Sequence, residues 1–380
     1  METNGQIGLL HLFFNKDQAD AVRTERIAKW LYDAGKKPII ITFRNSKIRK
    51  SKYYSIYFLK TPPNPKLLSP FLLNVEILYL IVKLKIKILY LFLVGAATAS
   101  LFVKKIFGSK IALIYDLQGV TVEEVNNIWQ KSPFLIPLIE ILFGTVETII
   151  LNSADYISFH NSILKTYYSM KYKRPFSNSI IIPNLPIFTA VKEPSKYENQ
   201  LRTFIGDRIS IAYIGRDQKW QGLEPVLDAL KNYKNPKICF LFIGFNINKY
   251  GEFDLSFIFN KENIPKEEIN NLLPVFDCGL IPRMPDIITM VAAPTKFFEY
   301  LGEGLIILGT DVGEAGQMIK KHKLGYTLDI SNFEDSFNRV SNLTKKEISD
   351  FKSKNKRFYE SFSDETKIIA NLKSILKEKA

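Results

Sequence analysis

The residues best suited to chemistry in this chain are cations and carboxylates placed beside glycine and proline. The stretch Ala292-Ala293-Pro294-Thr295-Lys296-Phe297-Phe298-Glu299 opens a helical pattern. Pro294 suits the first turn of a helix, where its missing N–H leaves no hydrogen bond unmade. The free N–H groups near Thr295 and Lys296 then point out of the helix start. Together with the macrodipole and the Lys296 ammonium they form an anion site. Glu299 follows Thr295 by one turn, on the same face and about 6 Å further along the axis. A diphosphate at the helix start would place a ribose near this carboxylate, which can accept both hydroxyls of the diol. Gly304 ends the helix. A second segment, Ile211-Ala212-Tyr213-Ile214-Gly215-Arg216-Asp217-Gln218-Lys219, reads as a strand running into a loop. Arg216 and Lys219 would project at the carboxyl edge of the sheet, where a guanidinium fork and an ammonium point charge both suit a pyrophosphate. The alternative for both is a solvated loop cation.

A third group lies earlier in the chain. The apolar run Ile111 to Tyr115 reads as a strand that delivers Asp116 and Gln118 to a cleft-facing loop, with Glu123 and Glu124 just beyond. His160 follows another strand candidate and is a possible loop histidine for catalysis. The two cysteines, Cys239 and Cys278, cannot build a disulfide framework and match no zinc spacing. With His11, His160 and His322 as the three histidines, a His-rich metal centre is not expected.

The elements that must hold these residues alternate between strand and helix. Strands are expected at Ile7–Phe14, Pro38–Phe43, Ile88–Val94, Ile111–Tyr115 and Tyr156–His160. Helices are expected at Ala19–Ala34 (with Val22, Ile27, Trp30 and Leu31 inward), Leu67–Lys83, Ala96–Phe107 and Phe134–Asn152. A Pro-rich turn, Thr61 to Pro65, precedes the second of these helices. After the proline-rich stretch Pro183 to Ser195, read as an interdomain linker, a second series follows. Its strands are Ile209–Ile214, Ile238–Ile243, Asp277–Ile281 and Leu305–Leu308, with Gly215, Gly244 and Gly309 at the strand-to-loop handovers. Beyond Asn332 the chain is polar and helical. Apolar strands alternating with helices indicate an α/β class with parallel sheets covered on both faces. The expected division is an N-terminal domain over 1–187 and a C-terminal domain over 188–362, with a last helix at about 363–380 packing back on the first. Ligands of such sheets bind outside the carboxyl ends of the strands, so a cleft between two such edges is the expected place for chemistry.

Composition agrees with this. Of 380 residues, 46% are hydrophobic and 24% charged, which excludes disordered and collagen-like chains. The net charge of +14 favours polyanionic partners. No Lys/Arg-rich block or aromatic-basic motif is present, so nucleic acid is not expected. Met1 to Leu10 shows no signal-peptide pattern. The longest uncharged apolar window, Ile88 to Val103, falls short of the ~20 residues that span a bilayer. The expectation is a soluble or peripheral protein in the cytoplasm.

The order strand–Gly-Arg–loop–Trp-x-Gly–helix, then Pro-Thr-Lys-x-x-Glu-Tyr-x-x-x-Gly-Leu, then Thr-Asp-Val-Gly-Glu, resembles the family 4-type glycosyltransferases. The likeness is specific from about Ile209 to Gly325 and looser from Lys110 to Pro186. It implies the GT-B fold, two Rossmann-like domains facing across a cleft, with a nucleotide-diphosphate sugar held by the C-terminal domain. By resemblance Glu299 matches the ribose glutamate, Thr295 and Lys296 the helix-start residues at the diphosphate, and Arg216 the phosphate arginine. Gly215 and Gly244 belong to the donor side. Two positions depart from the pattern: Val291 stands where the family has a first glutamate, and Gln221 where it has a phosphate lysine. Lys219 or Arg283 is the expected substitute for that lysine. The glycine-rich turn usual after the first strand is replaced by Phe13-Phe14-Asn15-Lys16-Asp17-Gln18.

The resemblance implies transfer of a sugar to an acceptor hydroxyl with retention at the anomeric carbon, no divalent metal and no other cofactor. Arg216 and Lys219 would offset the charge on the leaving diphosphate, and Asp116 would orient the donor sugar or accept the acceptor proton. Gln118, Glu124 and His160 are the acceptor-side candidates. The expected acceptor is a glycan or polyprenyl-linked glycolipid in bacterial surface-glycan assembly. Lys83, Lys85, Lys87, Lys104 and Lys105, beside apolar helices, form a basic face for an anionic membrane surface. Two other readings stay open: a nucleotide-sugar 2-epimerase of the same architecture, and a catalytically silent, membrane-peripheral partner of a glycan assembly complex.

Overall fold

The computed structural model describes residues 6–377 apart from 15–18, 45–50, 62–68, 99–101, 129–133, 135, 187 and 189–194. Most of the Pro-rich turn at 61–65, most of the linker at 183–195, and residues 15–18 after the first strand therefore lie outside the described residues. The chain forms two compact units, residues 1–184 with 364–380, and residues 185–363.

The first unit runs β1 (Gln6–Leu10), α1 (Ala19–Asp33), β2 (Pro38–Phe43), β3 (Ser55–Leu59), α2 (Ser69–Lys83), β4 (Ile86–Phe92), α3 (Leu93–Thr98), α4 (Val103–Phe107), β5 (Ala112–Leu117), α5 (Thr121–Ile128), α6 (Ile136–Ser153), β6 (Tyr156–Phe159), α7 (Ser162–Lys171) and β7 (Ser179–Ile181). The second runs α8 (Glu198–Ile205), β8 (Ile209–Ile214), α9 (Leu223–Leu230), β9 (Ile238–Ile243), β10 (Ile258–Lys261), α10 (Lys266–Leu272), β11 (Cys278–Ile281), α11 (Ile287–Val291), α12 (Thr295–Gly302), β12 (Ile306–Thr310), α13 (Gly313–His322), β13 (Gly325–Leu328), α14 (Phe333–Val340) and α15 (Lys345–Phe362). A last helix, α16 (Glu365–Lys377), belongs to the first unit, where Glu365 meets Lys29 at 2.8 Å.

Both sheets are parallel throughout, in the orders β3-β2-β1-β4-β5-β6-β7 and β10-β9-β8-β11-β12-β13. Each is doubly wound and reverses beside its first strand. The central strands are apolar end to end because helices cover both faces; every residue of β9, Ile-Cys-Phe-Leu-Phe-Ile, is buried. In the second unit Phe240, Tyr233 and Phe337 interlock edge to face beneath this sheet, and Phe242 stacks parallel to Phe240.

Two expectations need correction, and a third, the helical polar tail, is borne out as separate helices. The helix expected over Ala96–Phe107 is two short ones, entered through Leu93 at φ 65. The polar tail beyond Asn332 is three helices, the second begun by a Thr344–Glu347 capping box. On α1 the inward residues are Ala21, Arg23, Thr24, Ile27, Ala28, Trp30 and Leu31; Val22 is half-exposed. Arg23 thus occupies a core position that its residue type disguises.

Candidate functional site

In the second unit β8 lies between β9 and β11, so the strand order reverses there. Gly215 leaves the carboxyl end of β8, and Pro282-Arg283 leaves that of β11. These two exits bracket the crevice where open α/β sheets take ligands. Gly215 (φ +143) and Gly244 (φ +110) are packed backbone to backbone. A Cβ on Gly244 would stand 2.6 Å from the Gly215 carbonyl oxygen, and one on Gly215 would stand 2.9 Å from the Lys296 Nζ. Glycine at 215 therefore lets the main chain lie against an ammonium.

Helix α12 begins at Thr295, with Pro294 in extended conformation at its N-cap and no side chain capping it. Pro294 thus stands one position before the helical turn expected for it. Lys296, one residue inside, reaches back over the sheet edge. Its Nζ lies 4.0 Å from the centroid of the Tyr213 ring and 3.2 Å from Gln221 Oε1. Lys296 is half-buried as a residue, but this enclosure of its ammonium lowers the pKa to about 7. Burial is the main cause, the Arg283 guanidinium adds to it, and Glu299 opposes both.

Arg283 is the second cation of this site. It is only 7% exposed, and among the described residues its Nε has no hydrogen-bond partner and its guanidinium no ion pair. Burial lowers its pKa to about 10. Its main chain is held firmly: the Thr310 hydroxyl donates to the Arg283 carbonyl, and Thr289 donates to Met284 O at 2.6 Å while completing the capping box that starts α11. A guanidinium fixed in a buried place without a counter-charge is costly, and so is a neighbouring enclosed ammonium whose burial outweighs the Glu299 charge. Both costs are removed by a bound anion.

Around these two cations stand the other expected residues. Thr295 and Glu299 are half-buried on α12, and the Glu299 charge acts on Lys296. Arg216 and Lys219 are exposed on the loop after β8; the Arg216 carbonyl accepts from the Tyr213 hydroxyl at 2.8 Å. The site thus has buried cations, Arg283 and Lys296, and an exposed pair at its rim. Tyr213, the surface on which Lys296 lies, went unnoticed in the sequence; its signal is an aromatic two residues before a strand-ending glycine. A cavity of about 860 Å³ opens at the opposite, amino-terminal edge of this sheet, among Arg208, Lys237, Asp277 and Lys352. There Asp277 is already engaged by Lys352 at 3.1 Å and by Ser210, so that cavity holds no comparable unmet charge.

The first unit's candidates have a different character. Asp116 is not on a loop: it is in β5, fully buried, and its two oxygens accept from Arg23 Nε and Nη2, each at 2.8 Å. Gln118 donates a further bond at 2.8 Å to the same carboxylate. Arg23 also donates to the carbonyl of Ile182 at 2.7 Å, tying α1 and β5 to the chain's exit from the sheet. A carboxylate engaged in this way is badly placed to take a proton, because doing so would strip a buried guanidinium of its partner. His160 is buried at the end of β6 rather than carried on an open loop. Glu124 is exposed and folds back on the Val120 N–H at 3.3 Å. Asp116 and Gln118 meet in a satisfied network around Arg23, unlike the cations of the second unit. Arg23 was missed because a basic residue in a helix reads as surface.

No family model and no curated protein matches the sequence. Solved structures do. The sucrose-phosphate synthase of Thermosynechococcus elongatus superposes with a TM-score of 0.75 at 12% identity, over 98% of each chain. HepE of Anabaena, in complex with UDP, gives 0.71 at 13% identity over 98% of this chain and 100% of its own. WaaG, a glycosyltransferase involved in lipopolysaccharide biosynthesis, gives 0.66 at 12% identity over 97% of this chain and 99% of its own. These are GT-B glycosyltransferases. With two parallel doubly wound sheets and a likeness that runs the length of the chain, this protein has the GT-B fold.

Proposed function

We propose that this protein is a glycosyltransferase that binds a nucleotide-diphosphate sugar in its second unit and moves the sugar to an acceptor hydroxyl. The observation that carries the reading is Arg283, a buried guanidinium with no ion pair and no hydrogen bond at its Nε among the described residues, beside the enclosed Lys296 ammonium at the start of α12. A diphosphate supplies the counter-charge that Arg283 lacks and a further one for Lys296, and Glu299, one turn along the helix, would accept from the ribose diol. HepE has been solved with UDP and with UDP-glucose, which supports a ligand of this class.

In the transfer, the bond from the anomeric carbon to the diphosphate oxygen breaks, and a bond from that carbon to the acceptor oxygen forms. The electron pair of the broken bond stays on the diphosphate, and the acceptor proton passes to that departing diphosphate oxygen. Arg283, Lys296, the amides at the start of α12, and Arg216 and Lys219 at the rim stabilise that developing charge. Arg283 takes the place of the absent phosphate lysine at Gln221. On this reading retention at the anomeric carbon and independence of a divalent metal go together with cationic side chains doing the work of a metal. The acceptor is a glycan or polyprenyl-linked glycolipid of a bacterial surface-glycan assembly, met by the protein as a peripheral element at the cytoplasmic face of the membrane.

The test is nucleoside-diphosphate release from UDP- and GDP-sugars, with and without lipid-linked acceptor. Release that depends on acceptor and is lost in Arg283→Met supports transfer. Conversion of the donor to its 2-epimer without acceptor would instead identify an epimerase, and the absence of any donor turnover would favour a silent assembly partner.

A further inference from the structure

The first unit exposes apolar surface that its fold does not use. Helix α6 is long and apolar enough to cross a membrane, with mean hydropathy 1.5, yet only 17% of it is buried. Its exposed side chains form one stripe: Leu138, Ile141, Leu142 and Ile149 are 65%, 68%, 57% and 45% exposed. Helix α2 carries a second stripe, Phe71, Leu72, Val75, Tyr79 and Val82, all exposed, and Ile106 is exposed on α4. Right-handed crossovers from β3 to β4, β4 to β5 and β5 to β6 all run in one direction across the sheet, so α2, α4 and α6 share one face of it. An apolar surface of this extent marks a docking face.

Charge says what docks there. The first unit holds 28 Lys and Arg against 15 Asp and Glu, a net of +13. The second holds 24 against 23, a net of +1. Nearly all of the chain's surplus therefore belongs to the unit that bears the apolar stripes. A second copy of that unit would bring its own +13 against the first, whereas an anionic lipid surface is complementary to it. Lys83 at the end of α2, Lys85 just before β4, Lys87 near its start and Lys105 in α4 are all exposed. Lys104 is not available, being paired with Asp155 at 2.5 Å. Glu140 stands at the margin of the α6 stripe.

Helix α6 is also fastened from within. Glu147, on its inner face and 1% exposed, accepts from the hydroxyls of Tyr168 at 2.6 Å and Tyr172 at 2.5 Å and meets Lys171 at 3.1 Å. Crossing a bilayer would tear this carboxylate from three partners and strand it in hydrocarbon. The helix must therefore stay in the fold with its stripe outward.

We propose that α6, with the outward faces of α2 and α4, is an interfacial element that lies in the plane of an anionic bilayer, its apolar stripes among the acyl chains and the unit's lysines at the headgroups. This deepens the peripheral placement proposed above, but its test uses neither donor nor acceptor, so it fails or stands apart from the transfer reading.

Full-length protein is sedimented with vesicles of phosphatidylcholine alone and with about a third phosphatidylglycerol. The expected result is binding to the anionic vesicles that weakens as salt rises, and at least about a tenfold loss of partitioning in Ile141→Glu/Leu142→Glu. That variant's thermal midpoint should match wild type, because both side chains point outward. A separate Ile141→Trp protein should show a blue-shifted emission when anionic vesicles are added. Wild-type protein left in the supernatant, a double variant that sediments like wild type, or an unshifted tryptophan would overturn the proposal. So would a wild-type dimer that the double substitution converts to monomer, since the face would then belong to a second copy.

Discussion

Each unit of this protein buries an arginine near a sheet of the same winding, and the two arginines are in opposite states. Arg23 has a bidentate carboxylate, Asp116, and a main-chain carbonyl as partners. Arg283 has neither an acid nor a hydrogen bond at its Nε among the described residues. The first is a finished ion pair that joins a helix, a strand and the chain's exit. The second is half of an ion pair. A buried charge with its partner in place is structure; one with no partner among the described residues points to a partner from outside the chain.

The largest expected effect breaks the first half of this contrast. Arg23→Ala leaves Asp116 buried without its cation and should destabilise the protein by about 3–5 kcal/mol in urea unfolding. Arg283→Met should do the reverse: folding stability without ligand is unchanged or higher, while nucleoside-diphosphate affinity falls by about 2 kcal/mol, roughly thirtyfold by calorimetry. If Arg283→Met instead lowers stability as much as Arg23→Ala, the two arginines are alike and the contrast fails.

The pH dependence sharpens the second half. Lys296 has a pKa of about 7 in the free protein, and a diphosphate beside it must raise that value. Binding then takes up a proton wherever the pH lies between the free and the bound values. Affinity should be highest below pH 7 and fall by up to about tenfold per unit above it. Measured above the second phosphate ionisation near 6, this slope belongs to the protein. Lys296→Met should flatten it. A smaller effect is expected at the ribose: Glu299→Gln should weaken nucleoside-diphosphate binding by about 1 kcal/mol and leave pyrophosphate binding unchanged in the same titration.

Much of the architecture was legible because central strands are buried on both faces and therefore spell continuous apolar runs. Pro38–Phe43, Ile209–Ile214 and Ile238–Ile243 have the boundaries expected from sequence. The four strands that went unread, Ser55–Leu59, Ser179–Ile181, Ile258–Lys261 and Gly325–Leu328, are the edge strands of the two sheets. An edge strand has one neighbour and partial cover, so its residues are mostly half-buried and its run is short or mixed with polar residues. The site was legible to the same degree. The start of α12 is written in Pro294-Thr295-Lys296, a local pattern. Arg283 entered only as a substitute suggested by resemblance, because its isolation depends on how β11, α11 and Thr310 come together. Asp116 looked free because its partner lies 93 residues away on α1.

The most direct measurement is a calorimetric titration of UDP and GDP into wild-type and Arg283→Met protein at pH 8, run in two buffers of different ionisation enthalpy. The account predicts saturable wild-type binding of at least one diphosphate with net proton uptake, and binding weakened roughly thirtyfold in the variant. Equal affinity in the two proteins, or binding without proton uptake, would contradict it.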